Sequence, residues 1–365
     1  MSKTKTVEDL LREQIGNGSY PDGRLPGERE LAVQFQVGRN TVRAALHRLE
    51  SEGWIERHRK KGTLIRAAQP VSDRGLAGII MRTSGHLYED FHHCLLTGLI
   101  QAGYSVQSVS ISPIVTNRNH HRAGVEAAIR KLLKADPKVL ILDGFIHSGI
   151  PLIGEIRKRD PILFDFYDSA LSRKFTGVWF DYRKAGYLAG KYLTGRGCRH
   201  PVLFTDQVPP KVRLNPNSYR HHKTKLLIEG FRQAMVEAGI DSETSIIDFI
   251  ACSRREHQKV LDELSSRPEN IPDGFCGGSD ILTVDFIRHL LEDYGKIPKN
   301  ILFAGIGNTP WSREPSLYPF TSVDLNVEKA VETIVRQAEL PPERRQDIFI
   351  EPKLIERHPK NPIGI

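Results

Sequence analysis

A change of period near residue 70 constrains this chain more than any other feature. From residue 76 onward, short apolar runs alternate with amphipathic stretches. The runs fall at 76–81, 106–111, 139–142, 162–166, 178–180, 202–205, 245–250, 274–277 and 301–306. Between them, helical spacing marks 88–102, 122–134, 182–195, 224–238, 255–264 and 281–294. Strand-helix-strand alternation of this kind predicts an α/β fold with parallel sheets covered by helices. A segment that long exceeds one ordinary open sheet, so two similar lobes are expected.

Before the change, the chain reads as three helices and a hairpin. Thr6, with Asp9 three residues on, occupies a capping-box position, and Val7, Leu10, Leu11 and Ile15 form one apolar face. Asn17-Gly18 and Pro21-Asp22-Gly23 break that helix. A short helix over 28–35 buries Leu31, Ala32 and Phe35, and a tight turn at 36–38 leads into a third helix over 40–52. There Val42, Leu46 and Leu49 make the buried stripe, and Gly53 stands where a C-terminal glycine stop belongs. Residues 54–56 and 63–65 are short strand-like runs flanking a basic turn, the pattern of a hairpin wing. The division expected is a head at 1–66, a linker at 67–75 and a two-lobed unit at 76–365.

Charge points to the head's partner. The chain carries a net +8, and residues 39–66 hold Arg39, Arg43, Arg48, Arg57, Arg59, Lys60, Lys61 and Arg66 against only Glu50, Glu52 and Glu56. Such a local excess is the footprint of a phosphate-binding surface. Two helices joined by a tight turn, the second beginning Arg39-Asn40-Thr41-Val42-Arg43, are a helix-turn-helix. Arginine suits guanine and asparagine suits adenine in the major groove. Thr41 and the helix N-terminal amides suit a phosphate oxygen.

The stretches Leu25-Pro26-Gly27-Glu28-Arg29-Glu30-Leu31-Ala32, Val37-Gly38-Arg39-Asn40-Thr41-Val42-Arg43-Ala44-Ala45-Leu46 and Leu49-Glu50-Ser51-Glu52-Gly53-Trp54-Ile55 resemble the GntR family winged helix. The resemblance implies that Arg29, Arg39, Asn40, Thr41, Arg43 and the wing residues Arg59 and Lys60 contact double-stranded operator DNA. Gly38 replaces the family's usual capping Ser or Thr, and Lys60 replaces the first glycine of the wing turn.

Downstream, Gly78-Ile79-Ile80, Val178-Trp179-Phe180-Asp181, Gly230-Phe231-Arg232 and Gly277-Gly278-Ser279-Asp280 resemble the LacI-type, periplasmic-binding-protein-like effector domain of the arabinose-repressor subgroup. That implies a small-molecule effector, carbohydrate-related in this family, held in a cleft between the lobes. Candidate contacts are Tyr88, Asp165, Asp181 and Asp280, with lobe packing the other reading of Tyr88 and a hinge the other reading of Asp181. Three positions depart from the family pattern. Leu227 stands for a ligand arginine, Asn308 falls near a usual aspartate, and Leu325 replaces a late polar contact. No named sugar follows, and a less polar effector or a degenerate site both stay open.

Other function classes find little support. The chain has no phosphate-cradling Gly-rich Lys-Ser/Thr motif, no Gly-x-Ser-x-Gly elbow and no HExxH, so no catalytic residue or cofactor is expected. The pairs His92-His93, His120-His121 and His221-His222 point in divergent directions, and no metal site is expected from them. Four scattered cysteines, no apolar membrane-spanning run and no signal-peptide core imply a reducing cytoplasm. The reading is a DNA-binding regulator, acting as a homodimer on an inverted repeat, with operator affinity set by a small molecule. A non-sensing effector domain, or less favoured an enzyme fused to the head, are the alternatives.

Overall fold

The computed structural model describes residues 3–16, 19–51, 53–58, 62–65, 73–83, 86–111, 119–144, 151–165, 175–207, 219–241, 246–250, 273–295, 297, 301–313 and 318–357. The chain divides into two compact units, Met1–Asp73 and Arg74–Ile365.

The smaller unit contains helices α1 (Lys3–Gly16), α2 (Glu28–Gln34) and α3 (Arg39–Ser51), with strands β1 (Arg24–Leu25), β2 (Ile55–His58) and β3 (Gly62–Ile65). The strands form an antiparallel sheet in the order β1-β3-β2. One core is shared by Val7, Leu11, Leu25, Leu31, Val42, Ala45, Leu46, Leu49 and Ile55. The first helix begins before Thr6, and Leu10 of its expected face is exposed. Val7 and Leu11 stack at i and i+4, whereas Glu8 is buried beside them, paired with Arg12 at 2.5 Å and Arg48 at 3.3 Å. Gly53 stops the third helix at φ +81°, where its amide reaches the Glu50 carbonyl and the Trp54 amide that of Leu49. The strand at Arg24–Leu25 was not expected. A two-residue strand shows no period, and only its pairing with Thr63 and Leu64 defines it.

The larger unit holds two six-stranded sheets. In the first lobe the strands are β4 (Leu76–Met81), β5 (Ser105–Ser110), β6 (Val139–Asp143), β7 (Ile162–Asp165), β8 (Gly177–Phe180) and, from far along the chain, β14 (Ile348–Ile350). Their order is β14-β8-β7-β6-β4-β5, all parallel. Helices α4 (His86–Gln101), α5 (Asn119–Lys134) and the short α6 (Ile153–Arg157) lie between these strands along the chain. The second lobe begins at α7 (Tyr182–Gly195) and continues through β9 (Pro201–Gln207), α8 (Tyr219–Glu237), β10 (Ile246–Ile250), β11 (Gly274–Gly277), α9 (Asp280–Tyr294), β12 (Leu302–Ile306), β13 (Thr321–Asp324) and β15 (Lys353–Ile355). Its order is β10-β9-β11-β12-β13-β15, parallel except that β15 runs against β13.

The chain crosses between lobes three times: after β8, after β13 into α10 (Val327–Ala338), and between β14 and β15. Strands run in near-continuous apolar sequence because both sheet faces are covered; Val139–Asp143 and Gly177–Phe180 are buried at every residue. The elements after residue 320 were not read from the sequence, and the stretch at 255–264 lies outside the described residues.

Candidate nucleic-acid interface and interlobe cleft

The third helix separates its faces cleanly. Val42, Ala45, Leu46 and Leu49 are fully buried, so Arg39, Asn40 and Arg43 are turned outward and exposed. Gly38 precedes the helix and its carbonyl accepts from the Thr41 amide at 2.9 Å. Arg29 is exposed on α2. Arg43 meets Glu28, the first residue of α2, with Nη2 3.0 Å from Oε2. Arg57 donates to the other carboxylate oxygen at 2.5 Å. The hydrogen bond from Arg43 is the main reason that the Glu28 carboxyl is held below the usual carboxylate range. Arg59 and Lys60 lie outside the described residues.

In the larger unit, the carboxyl ends of the parallel strands gather the polar side chains, where such sheets present ligands. Arg82 follows β4 and is buried. Its Nε donates to Asp143 Oδ2 at 2.6 Å, and its Nη2 to Asp165 Oδ2 at 2.6 Å. The Arg82 guanidinium lies 4.0 Å from the ring centroid of Tyr88, whose hydroxyl donates to Asp165 at 2.9 Å. Tyr182, the first residue of α7, donates to the other Asp165 oxygen at 2.5 Å. That bond joins the lobes, because β7 belongs to the first and α7 packs on the second. Lys223 on α8 places its ammonium 5.0 Å over the Tyr182 ring. Asp165 itself sits at φ +98°, rarely adopted by a non-glycine residue, and its fully buried carboxylate is gripped from three sides.

The structure thus brings Tyr88 and Asp165 together, and adds Arg82, Asp143 and Tyr182, which the sequence reading missed. An arginine right after an apolar strand run, with aspartates ending two others, was the available signal.

Asp181 stands apart from that cluster. Its side chain caps α7, accepting from the Lys184 amide at 2.8 Å, and it borders an open surface pocket with Arg183, Lys184, Tyr187 and Gln233.

Asp280 is buried in the second lobe. It accepts from the Thr309 amide at 2.6 Å, the Thr309 hydroxyl at 2.8 Å and the Ser322 hydroxyl at 2.6 Å. Burial pushes its carboxyl above the usual range despite those donors. Asn308, two residues after β12, donates to Asp324 at 2.9 Å and accepts from Arg357. Leu227 lies in the core, with its carbonyl against Gly186, and Leu325 is likewise buried. Neither position presents a polar group to the strand ends; the cation on α8 comes one turn earlier, from Lys223. His92 shares a 2.9 Å hydrogen bond with Ser108, and burial lowers its pKa. No helix among the described residues is long and apolar enough to cross a membrane.

Two family models match separate parts of the chain. Residues 3–65 match the family model of bacterial regulatory proteins, gntR family, and residues 170–358 that of the periplasmic binding protein-like domain. The arabinose metabolism transcriptional repressor of Geobacillus stearothermophilus is 40% identical over 368 residues, covering 96% of this chain and 95% of that protein. The protein of that description from Halalkalibacterium halodurans is 24% identical over 393 residues, covering 98% and 96%. Among solved structures, a LacI transcriptional regulator from a Rhodococcus species aligns at a TM-score of 0.61 with 17% identity, over 79% of this chain and 99% of that one. A transcriptional regulator CelR–cellobiose complex aligns at 0.60 with 15% identity, over 92% and 100%. The chain belongs to the GntR family of bacterial transcriptional regulators. It is a transcriptional repressor, not an enzyme, in which a DNA-binding winged helix-turn-helix is joined to a two-lobed effector domain of the LacI type.

Proposed function

We propose that this repressor reads an inverted-repeat operator as a homodimer and is switched by a polyhydroxylated small molecule, a pentose such as arabinose, bound between the lobes. Arg39, Asn40 and Arg43 read bases. Arg29 and Thr41 hold phosphates, and Arg59 and Lys60 of the wing lie along the backbone or in the minor groove. Tyr88 and Asp165 contact the effector from the first lobe. Asp181 and Asp280 frame the cleft by holding the start of α7 and the loop after β12.

The observation that carries the effector reading is the Asp165 cluster: one buried carboxylate bonded by Tyr88 and Arg82 of its own lobe and by Tyr182 of the other. Sugar hydroxyls both donate and accept, so they replace the tyrosine hydroxyls on Asp165 without leaving a charge unpaired. A ligand that does so changes the bond between the lobes, and coupling of this kind is worth about 1–3 kcal/mol. The resemblance of the whole chain to repressors of arabinose metabolism supports the choice of sugar.

The test is a thermal-shift series with arabinose, other aldopentoses, hexoses and sugar acids, followed by operator titration with any stabilising compound. Arabinose is expected to stabilise the larger unit in proportion to the logarithm of its concentration, by about 2.7 kcal/mol at a hundred times its Kd. It is expected to weaken operator binding, and Asp165→Asn is expected to abolish both effects. Stabilisation that survives Asp165→Asn would place the effector elsewhere, and no stabilisation by any sugar would favour a non-sensing domain.

A further inference from the structure

We infer that Glu28 is a positioning residue of the DNA-reading surface, one that decides which edge of the Arg43 guanidinium is turned toward a base. The inference rests on Arg43 acting as a base reader. The exposed Arg43 side chain would by itself sample many rotamers, with its donors pointing in as many directions. Glu28 biases that freedom. Its Oε2 lies 3.2 Å from Arg43 Nε and 3.0 Å from Nη2, so the carboxylate occupies one lateral edge of the guanidinium. A guanine asks an arginine for two parallel donors, one to O6 and one to N7. With the Nε–Nη2 edge engaged, the Nη1–Nη2 end supplies that pair, and the planarity of the group fixes its direction.

The carboxylate is itself held. Glu28 opens α2, where the helix N-terminus favours a negative charge. The turn before it is closed by Glu30, which accepts from the Gly27 amide at 2.9 Å, and Leu31 anchors the helix in the core. Its second oxygen receives Arg57 at 2.5 Å, and the Arg57 amide donates to Glu50 on α3 at 3.3 Å. One acid therefore joins three elements, the start of α2, the reading face of α3 and the root of the wing. Stability alone is a weak reason for it, since solvent-exposed ion pairs contribute little. An anion on a phosphate-facing surface also opposes binding unless it improves what its partners read.

The test uses the full chain. Wild type first selects its preferred site from a randomised duplex library. Single base-pair variants of that site are then titrated with wild type, Arg43→Ala, Glu28→Ala, Glu28→Gln and the double variant Arg43→Ala/Glu28→Ala. The base pair whose discrimination disappears in Arg43→Ala is expected to lose roughly tenfold discrimination in Glu28→Ala. Glu28→Gln, which keeps one acceptor, should lose less, and Glu28→Ala should add no loss in the Arg43→Ala background. An equal loss at every base pair, a loss that persists without Arg43, or full discrimination in both Glu28 variants would overturn the inference while leaving Arg43 as a reader. Unchanged discrimination in Arg43→Ala would instead remove the reader, so the two failures are separable. If Glu28→Ala lowers the melting temperature, Glu28→Gln decides: position-specific loss without a thermal shift supports the inference, and retention overturns it.

Discussion

At the scale of single residues, two buried carboxylates are accommodated by different means. Asp165 is paired with a cation, since the Arg82 guanidinium bridges it to Asp143 and offsets one of the two carboxylate charges. Among the described residues, the direct donors to Asp280 are neutral, two from Thr309 and one from Ser322, and its pKa is raised, chiefly by burial. A carboxyl whose pKa is higher folded than unfolded favours folding most below its unfolded value, about pH 4, and that contribution is lost as pH rises through the folded value. Asp280→Asn removes this titration, and its amide can donate to Ser322 while its oxygen accepts from Thr309. The stability of Asp280→Asn relative to wild type is therefore expected to improve as pH rises from 4 through the raised folded value and then level off. Asp280→Ala leaves several buried donors unmatched and should cost about 1–3 kcal/mol for each, with the gap to wild type narrowing over the same pH window because alanine does not titrate either. Denaturant unfolding of the larger unit across pH checks both, and a constant gap between Asn and wild type would contradict the assignment.

At the scale of elements, the α7–α8 seam holds the second lobe to its crossover. Gly186 of α7 and Gly230 of α8 allow the helices to touch backbone to backbone. A Cβ at Gly230 would fall on the Arg183 carbonyl oxygen, and one at Gly186 on that of Leu227. Because backbone cannot swing aside, Gly230→Ala is expected to destabilise the larger unit by about 1–3 kcal/mol or more. It should also shift Tyr182 and weaken effector binding, since Tyr182 begins the same helix. Thermal unfolding and ligand titration of this variant test the seam; wild-type melting would show that the helices separate easily. The helical period made α7 legible in the sequence, and the glycines were visible too. Their role was not, because close approach is a property of two helices and neither states its partner. The amphipathic α10 was also within reach, with Val327, Ala330, Val331, Ile334 and Ala338 at helical spacing, whereas the polar Thr321–Asp324 strand has no such signal.

At the scale of the whole molecule, binding to operator should follow counterion release. Each phosphate-directed cation contributes about 0.9 to the slope of log affinity against log salt. Replacing Arg29 or Lys60 by Ala should reduce that slope by roughly 1 and leave base preference intact, the converse of Arg43→Ala. A titration of full-length variants between low and moderate salt separates the two kinds of contact, and a Lys60→Ala slope equal to wild type would exclude Lys60 from the phosphates. What the sequence by itself determined is whatever local period and composition can state: the helix-turn-helix with its outward Arg39, Asn40 and Arg43, the strand-helix alternation, and the placement of Tyr88 and Asp165 near strand ends. Only the tertiary structure decided which groups meet. Asp143 lies 61 residues from Arg82 and Asp165 lies 83, while Tyr182 arrives from the other lobe. A buried charge has to find its partner in space, and strand order, not chain order, sets who is near.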